Sequence, residues 1–120
     1  MIFREVENMK ITNYKDAEKK DNPHRVAVNK LYDTEHAQVM HIELKPGEGL
    51  KKHSTPVDAF FYVLEGEGIV EIGDEQEKIT KDMLVDSPAR IPHRLMNESD
   101  SVFRFLVVKV PRQTEKTKLL

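Results

Sequence analysis

The sequence of 120 residues contains no cysteine and no long apolar run. Without cysteine the chain cannot form disulfides, use a thiol nucleophile or bind a metal through thiolates, and this absence is typical of a cytoplasmic protein. No apolar segment approaches the ~20 residues that a transmembrane helix needs. The N-terminal sequence MIFREVENMK carries charge too early and too often for a signal peptide. We therefore expect a cytoplasmic protein that does not span or bind a membrane.

The sequence also lacks the motifs of several functional classes. It has no glycine-rich phosphate loop, no serine-nucleophile signature and no zinc-finger spacing. The net charge is -2, which does not favour nucleic acid or an anionic membrane as a partner. No long helical pattern and no internal repeat is present. The length is that of one ordinary domain and is sufficient to bury a core.

What the sequence does contain is a series of short segments with β-strand character. Residues 38–44 alternate, with Met40, Ile42 and Leu44 on one face and His41 on the other. Residues 59–64 are apolar on both faces, so we expect both faces to be covered. Further strands are predicted over residues 1–6, 25–32, 69–72, 76–80, 83–86 and 102–110, separated by turn residues. This spacing predicts an all-β sandwich or barrel.

The connections are predicted from glycine, proline and charge. Gly66 and Gly68 fit a tight hairpin turn, after which residues 69–72 would pair back onto residues 59–64. Residues 13–22 are dense in charge and predict a surface loop. The mostly charged tail, residues 112–120, is expected to be frayed or docked on a neighbouring chain.

The stretch from residue 46 to 68, PGEGLKKHSTPVDAFFYVLEGEG, carries a specific motif. Gly47 follows a proline, His53 stands six positions later, and an aromatic strand ends in glycine at Gly68. This stretch resembles the first motif of the cupin superfamily. Two positions differ from the motif of that family: Thr55 stands in place of a second histidine, and Ala59 in place of a glutamate.

A second cupin-like motif follows at residues 81–97. Asp82 keeps the aspartate of the pattern, whereas Lys81 replaces its glycine. An apolar strand and a bend precede His93, which follows a proline, and Asn97 stands at the expected later position. The bend is one residue longer than the motif predicts.

The resemblance implies a double-stranded β-helix, or jelly-roll barrel, and thus one cupin domain over residues 1–120. The barrel would span about residues 25–111, with an N-terminal strand and loop over residues 1–24 and a polar tail over residues 112–120. The resemblance also places the Met40 face inside the barrel, so that His41 would point outward to solvent or a partner.

The resemblance further implies a ligand pocket inside the barrel, formed by His53, Thr55, Phe61, His93 and Leu95. Cupins that hold a metal commonly use three histidines and a glutamate, and His53 and His93 are the two of these positions that survive. The metal, manganese, iron, nickel or zinc, would thus have an incomplete ligand set. Strand alternation points Asp58 to the other face. The alternative is that the two histidines are neutral polar residues in a solvent-filled barrel mouth.

Three functions fit these residues. The first is binding of a small polar ligand inside the barrel, with or without a divalent metal on His53 and His93; with such a metal the protein would fit a metal-dependent enzyme such as a small-molecule oxygenase or isomerase. The second is a metal-free enzyme resembling sugar epimerases, isomerases or lyases, and the third is a non-catalytic ligand sensor. The sequence leaves open whether the protein is an enzyme, which ligand it takes and in which pathway it acts.

Two expectations concern surfaces. Phe60 and Tyr62 would form an outward apolar patch, which predicts a homodimer because a monomer rarely exposes such a patch. His24, His36 and His41 are expected to be solvated or to lie in an interface.

Overall fold

The computed structural model describes residues 9–120, and the strand predicted over residues 1–6 lies outside the described residues. Within residues 9–120 the chain forms eleven short strands. No helix in this part of the chain is long and apolar enough to cross a membrane. In chain order the strands are β1 (Glu18–Lys19), β2 (Ala27–Asp33), β3 (Gln38–Leu44), β4 (His53–Ser54), β5 (Ala59–Glu65), β6 (Glu67–Ile72), β7 (Glu75–Thr80), β8 (Leu84–Ser87), β9 (His93–Met96), β10 (Phe103–Lys109) and β11 (Lys118–Leu119).

The strands form two antiparallel sheets. The six-stranded sheet has the order β1-β2-β3-β10-β5-β8, and the five-stranded sheet has the order β11-β4-β9-β6-β7. One hydrophobic core draws side chains from both sheets, including Leu44 and Phe61 from the first and Val70 and Leu95 from the second. The prediction of an all-β fold is confirmed.

The predicted strand faces are also confirmed. On β5 the side chains of Phe61 and Val63 are buried, whereas Phe60, Tyr62 and Leu64 on the other face are half-buried. This alternation follows from the two-residue period of a strand. On β3 the inward Ile42 and Leu44 belong to the core, and Met40 packs against it.

The hairpin predicted after β5 is wrong. β6 does not pair with β5; it pairs with β7 and β9 in the five-stranded sheet, whereas β5 pairs with β10 and β8 in the six-stranded sheet. Gly66, with φ of 79°, is the corner at which the chain passes from one sheet to the other. A side chain at this position would collide with the carbonyl of Val102, so the corner requires glycine.

Gly68 is likewise not a turn residue. It is buried within β6, and the ring of Phe103 occupies the space where its side chain would lie. The hairpin of this region is formed instead by β6 and β7, around a turn at Gly73 and Asp74. Glycine at residue 68 therefore serves close packing against an aromatic ring.

Residues 13–22 and the tail are more ordered than the sequence predicts. The predicted loop over residues 13–22 contains β1, which pairs with β2. The tail does not fray or leave the domain, because β11 pairs with β4 and thereby places Leu119 opposite His53.

The expectation that His41 is solvated or in an interface is wrong. His41 does lie on the outward face of β3, but Tyr14 stacks on its ring at a centroid distance of 4.0 Å, and only 1% of its surface is exposed. Arg104 donates a hydrogen bond to His41 Nε2 over 2.8 Å and lies over the Tyr14 ring. The segment before β1 thus covers this part of the six-stranded sheet.

Candidate functional site

The strand register places the two motif histidines opposite each other. β4 pairs with β9 so that His53 faces His93, with ring centroids 4.3 Å apart. Residues directly opposite in an antiparallel pair point to the same face of the sheet. Both side chains are buried, with 8% and 3% of their surface exposed. The strand register thus brings the two motif histidines together.

Hydrogen bonds fix the protonation pattern of the pair. His53 Nδ1 lies 2.6 Å from the carbonyl of Lys51, and His93 Nδ1 lies 3.3 Å from the carbonyl of Ile91 and 3.0 Å from Ser87 Oγ. A carbonyl only accepts hydrogen bonds, so Nδ1 of His53 carries the proton in the neutral ring. We assign the same tautomer to His93, because the Ile91 carbonyl can only accept and the Ser87 hydroxyl can accept as well. Each Nε2 is then left with a free lone pair, which can accept a hydrogen bond or bind a metal.

The histidine pair lines a cavity of about 220 Å³ between the sheets. Thr55 and Phe61 also line it, as the sequence predicts. Leu95 is fully buried in the hydrophobic core and is not among the residues that line the cavity. Its apolar side chain therefore contributes to the barrel interior and not to the ligand pocket.

The two positions that differ from the cupin motif face the same cavity. Thr55 and Ala59 are both buried and both line it. The Thr55 hydroxyl donates its proton to the carbonyl of Val57 over 3.1 Å. Asp58 lies outside the cavity, where its carboxylate accepts a hydrogen bond from the amide of Ala89 over 2.9 Å. The expectation that Asp58 points away from the site is confirmed.

His24 is a site residue that the sequence did not reveal. Its ring lines the cavity with a centroid 4.9 Å from that of His53. Its Nδ1 accepts the amide N–H of Lys51 over 2.7 Å, which leaves the proton of the neutral ring on Nε2. Because His24 lies in the irregular segment between β1 and β2, no periodicity marks it. His36, in contrast, is exposed as expected.

Lys109 is a second missed residue, and a signal for it was present. Along β10 the residues Phe103, Phe105 and Val107 are buried, so the alternation also turns Lys109 inward. Its side chain lines the cavity, and Nζ donates a hydrogen bond to Gln113 Oε1 over 2.7 Å.

Burial makes the site histidines weak bases. It lowers the pKa of His93 from its ordinary value of 6.5 to about 4, with a smaller contribution from the charge of His53. Burial likewise lowers the pKa of His24 to about 4, and it lowers the pKa of His53. The cause is the cost of holding a charged ring away from water. At neutral pH these three rings are therefore uncharged.

The site supplies only part of a metal-binding set. His53 and His93 each carry the Nδ1 hydrogen bond that usually orients a histidine ligand. Catalytic zinc sites use three protein ligands. Within residues 9–120, however, no group of three or more His, Asp or Glu side chains is placed to hold a metal. The described part of the chain thus offers two imidazoles and no complete metal site.

Comparison with known proteins gives consistent results. The family profile of the cupin domain matches residues 40–109. A protein from Methanocaldococcus jannaschii is 31% identical over 85 residues, which are 70% of this chain and 73% of that protein. Its crystal structure, described as an RmlC-like cupin with a double-stranded β-helix fold, is 28% identical and superposes with a TM-score of 0.70, covering 87% of this chain and 94% of that one.

Two further solved structures show the same architecture. The protein TT1209 from Thermus thermophilus is 33% identical, with a TM-score of 0.74 over 87% of this chain and 99% of that chain. The polyketide cyclase RemF from Streptomyces resistomycificus has a TM-score of 0.81 and 20% identity, over 94% and 86% of the two chains. At that identity the second comparison concerns the fold alone.

Proposed function

This chain belongs to the cupin family and has its double-stranded β-helix fold, and we propose that it binds a small polar molecule in the cavity beside His53 and His93. The observation that carries the proposal is a cavity of about 220 Å³ into which two buried imidazoles project without a partner for Nε2 among residues 9–120. Ligand sites are concave and mostly apolar, with a few convergent polar groups. We also propose that the protein works in the cytoplasm, as the absence of cysteine favours.

A larger groove of about 460 Å³ lies on the outer face, lined by residues that include Phe60, Val108 and Val110. It contains no histidine, so we assign the ligand to the smaller inner cavity.

The proposal is tested by a thermal-shift screen of small polar compounds. We expect a ligand to raise the melting temperature of the wild type in a concentration-dependent manner. His53→Ala should abolish this increase, whereas His36→Ala, at an exposed position, should not. A hit that stabilises the His53→Ala variant equally would contradict the assignment.

Binding without turnover is favoured over the metal-free enzyme alternative. A general base works best when its pKa lies near the working pH. The pKa of His93 is about 4, which makes its imidazole a poor proton acceptor at neutral pH. An epimerase, isomerase or lyase reaction that begins with proton abstraction by this residue is therefore disfavoured. A hydrogen–deuterium exchange assay on any ligand found in the screen would detect such a reaction.

We propose that a divalent metal at this site is held by His53 and His93 and binds more weakly than in cupins with a full ligand set. Thr55 and Ala59 face the same cavity, so Thr55→His with Ala59→Glu should restore one imidazole and one carboxylate. Calorimetric titration with manganese, iron, nickel and zinc should show tighter binding by this double variant. His53→Ala and His93→Ala should each lose wild-type binding. Unchanged affinity in both would place the metal elsewhere.

We also propose a homodimer formed through the outer face of β5. Phe60 and Tyr62 are half-buried there, and Leu84, opposite Tyr62 in the register, is 53% exposed. Light scattering should give twice the monomer mass of 13.9 kDa. Leu84→Lys should shift the mass to that of the monomer, whereas Tyr32→Lys, at an exposed position on β2, should not. A monomer mass for the wild type at micromolar concentration would refute the dimer.

A further inference from the structure

The inner cavity contains one half-buried basic side chain, Lys109, that has no acidic partner in the described chain. Lys109 ends β10 on the inward face, and its Nζ bonds the neutral amide of Gln113. None of the ion pairs within residues 9–120 includes Lys109. Burial lowers the pKa of the Lys109 ammonium, because a charge is costly away from water. A bound anion would relieve this cost.

The histidines around the cavity divide into donors and acceptors. His24 Nε2 carries the proton of its ring, because its Nδ1 accepts the amide of Lys51. His53 and His93 have the opposite tautomer, with Nε2 as an acceptor. The cavity thus presents one ammonium, one N–H donor and two acceptors. A ligand that satisfies all of them needs both an anionic group and a hydrogen-bond donor.

The other charged residues of the cavity wall lie near its rim. Lys20 and Asp21 line the cavity, and both are exposed. Their adjacent charges are opposite, and water screens exposed charges. Neither side chain supplies a buried counter-charge for Lys109. Asp21 would repel an anion bound beside it, whereas Lys109 would attract one, so we expect the anionic group of the ligand at Lys109.

We propose that the ligand is a small hydroxycarboxylic acid, with its carboxylate on Lys109 and the Nε2–H of His24, and its hydroxyl donating to Nε2 of His53 or His93. The inference rests on the proposed function of the cavity and specifies its ligand. The volume of about 220 Å³ lies below the ~300–1,000 Å³ of drug-sized sites, so the acid must be small. Among residues 9–120 the cavity lining includes no helix N-terminus and one half-buried cation, Lys109, so the single negative charge of a carboxylate matches it better than the nearly double charge of a phosphate.

The test compares four probes by NMR titration of the histidine ring signals. Lactate carries both the carboxylate and the hydroxyl. Lactamide lacks the negative charge, propanoate lacks the hydroxyl, and inorganic phosphate carries its negative charge on a tetrahedral group. We expect lactate to shift the signals of His24, His53 and His93, with an affinity roughly tenfold or more above that of the other three. Lys109→Met should lower lactate affinity by a similar factor and leave lactamide unchanged. Lys118→Met, at an exposed position outside the cavity, should change neither.

The outcomes separate this inference from the proposed function. If lactamide or propanoate shifts the cavity histidines as strongly as lactate, the cavity binds ligands but the hydroxycarboxylate assignment is overturned. Phosphate binding as tight as that of lactate would overturn it as well, because the site would then recognise charge alone. No shift with any probe also overturns the inference, and the function itself is then judged by the thermal-shift screen. Equal lactate affinity in the wild type and Lys109→Met would show that Lys109 does not bind the carboxylate, which would also overturn the inference.

Discussion

Two buried histidine environments lie on opposite faces of the barrel wall, and they differ in one respect. His93 and His41 are both almost fully buried, and burial lowers the pKa of each to about 4. Beside His93 lies a cavity of about 220 Å³. The ring of His41 is instead closed in by Tyr14 and Arg104.

The comparison shows that a perturbed pKa alone does not identify a site. Strong pKa shifts concentrate at functional sites, but packed structural residues show them too. What separates the two regions is free volume beside an available nitrogen. His41 Nδ1 has no hydrogen-bond partner among the described residues, yet it is enclosed, so no ligand can reach it without displacing Tyr14. This difference is why the proposed function is placed at the inner group, whereas the outer histidine packs within the fold.

The largest effect is expected at the aromatic wall of the inner region. Phe61 is 1% exposed and packs edge-on against His93 at a centroid distance of 5.5 Å. Phe61→Ala should lower the free energy of unfolding by ~3–5 kcal/mol, since it removes a buried ring and leaves a void. Chemical denaturation measures this loss. Phe60→Ala, on the half-buried outer face of the same strand, is the matched control and should cost clearly less. Equal losses in the free energy of unfolding would mean that the inner face of β5 is not more buried than its outer face.

Acid should destabilise both regions in the same pH range. A histidine whose folded pKa is lowered stabilises the fold fully above the unfolded pKa of about 6.5, and this stability is lost as the pH falls toward the folded pKa of about 4. Each of His41 and His93 should contribute a slope of up to about 1.4 kcal/mol per pH unit. Denaturation curves between pH 7 and pH 5 test this, since paired carboxyl groups titrate mainly below that range.

Variants separate the two contributions to the acid effect. His41→Asn and His93→Asn should each reduce the pH slope. Only His93→Asn should also change ligand binding. A slope that is unaffected by both variants would mean that these rings do not titrate as described.

The smallest effect is expected at the outer region. Tyr14→Ala removes the ring stacked on His41 and the surface over which Arg104 lies. We expect the free energy of unfolding to fall by roughly 1–2 kcal/mol, because the variant loses an aromatic contact and a partly buried ring. The pKa of His41, followed by NMR, should rise toward 6.5 because the ring becomes hydrated. Tyr32→Ala, at an exposed position, should leave both quantities unchanged, and an unshifted His41 pKa in Tyr14→Ala would show that Tyr14 is not its cover.

Strand periodicity accounts for what could be predicted from the sequence. The two-residue alternation grouped Phe61 with Val63 and Ile42 with Leu44, and the cupin resemblance chose these faces as the inward ones, where all four side chains are buried. The same alternation would have placed Lys109 inside had it been applied to the last residue of β10. The signal existed there and required no knowledge of tertiary structure.

The remaining features depend on contacts that are distant in sequence. A glycine-rich segment such as residues 65–68 marks a sharp change of direction, but it does not determine whether the next strand pairs back or joins the other sheet. That choice depends on partners such as Val102 and Phe103. The cover of His41 by Tyr14 and the approach of His24 to His53 are likewise made by an irregular segment, whose path no local pattern specifies.

The pairing of β11 with β4 bears on the order in which the site is built during synthesis. The cavity takes its wall from segments as distant as His24 and Thr117, and the strand of His53 gains its outer neighbour only from residues 118–119. Pairings between distant segments form late, because a long loop must close before they contribute stability. On the ribosome the cavity therefore cannot exist until nearly all of these residues have emerged. A ligand bound as proposed would therefore stabilise only the finished barrel and would not guide the early steps of folding.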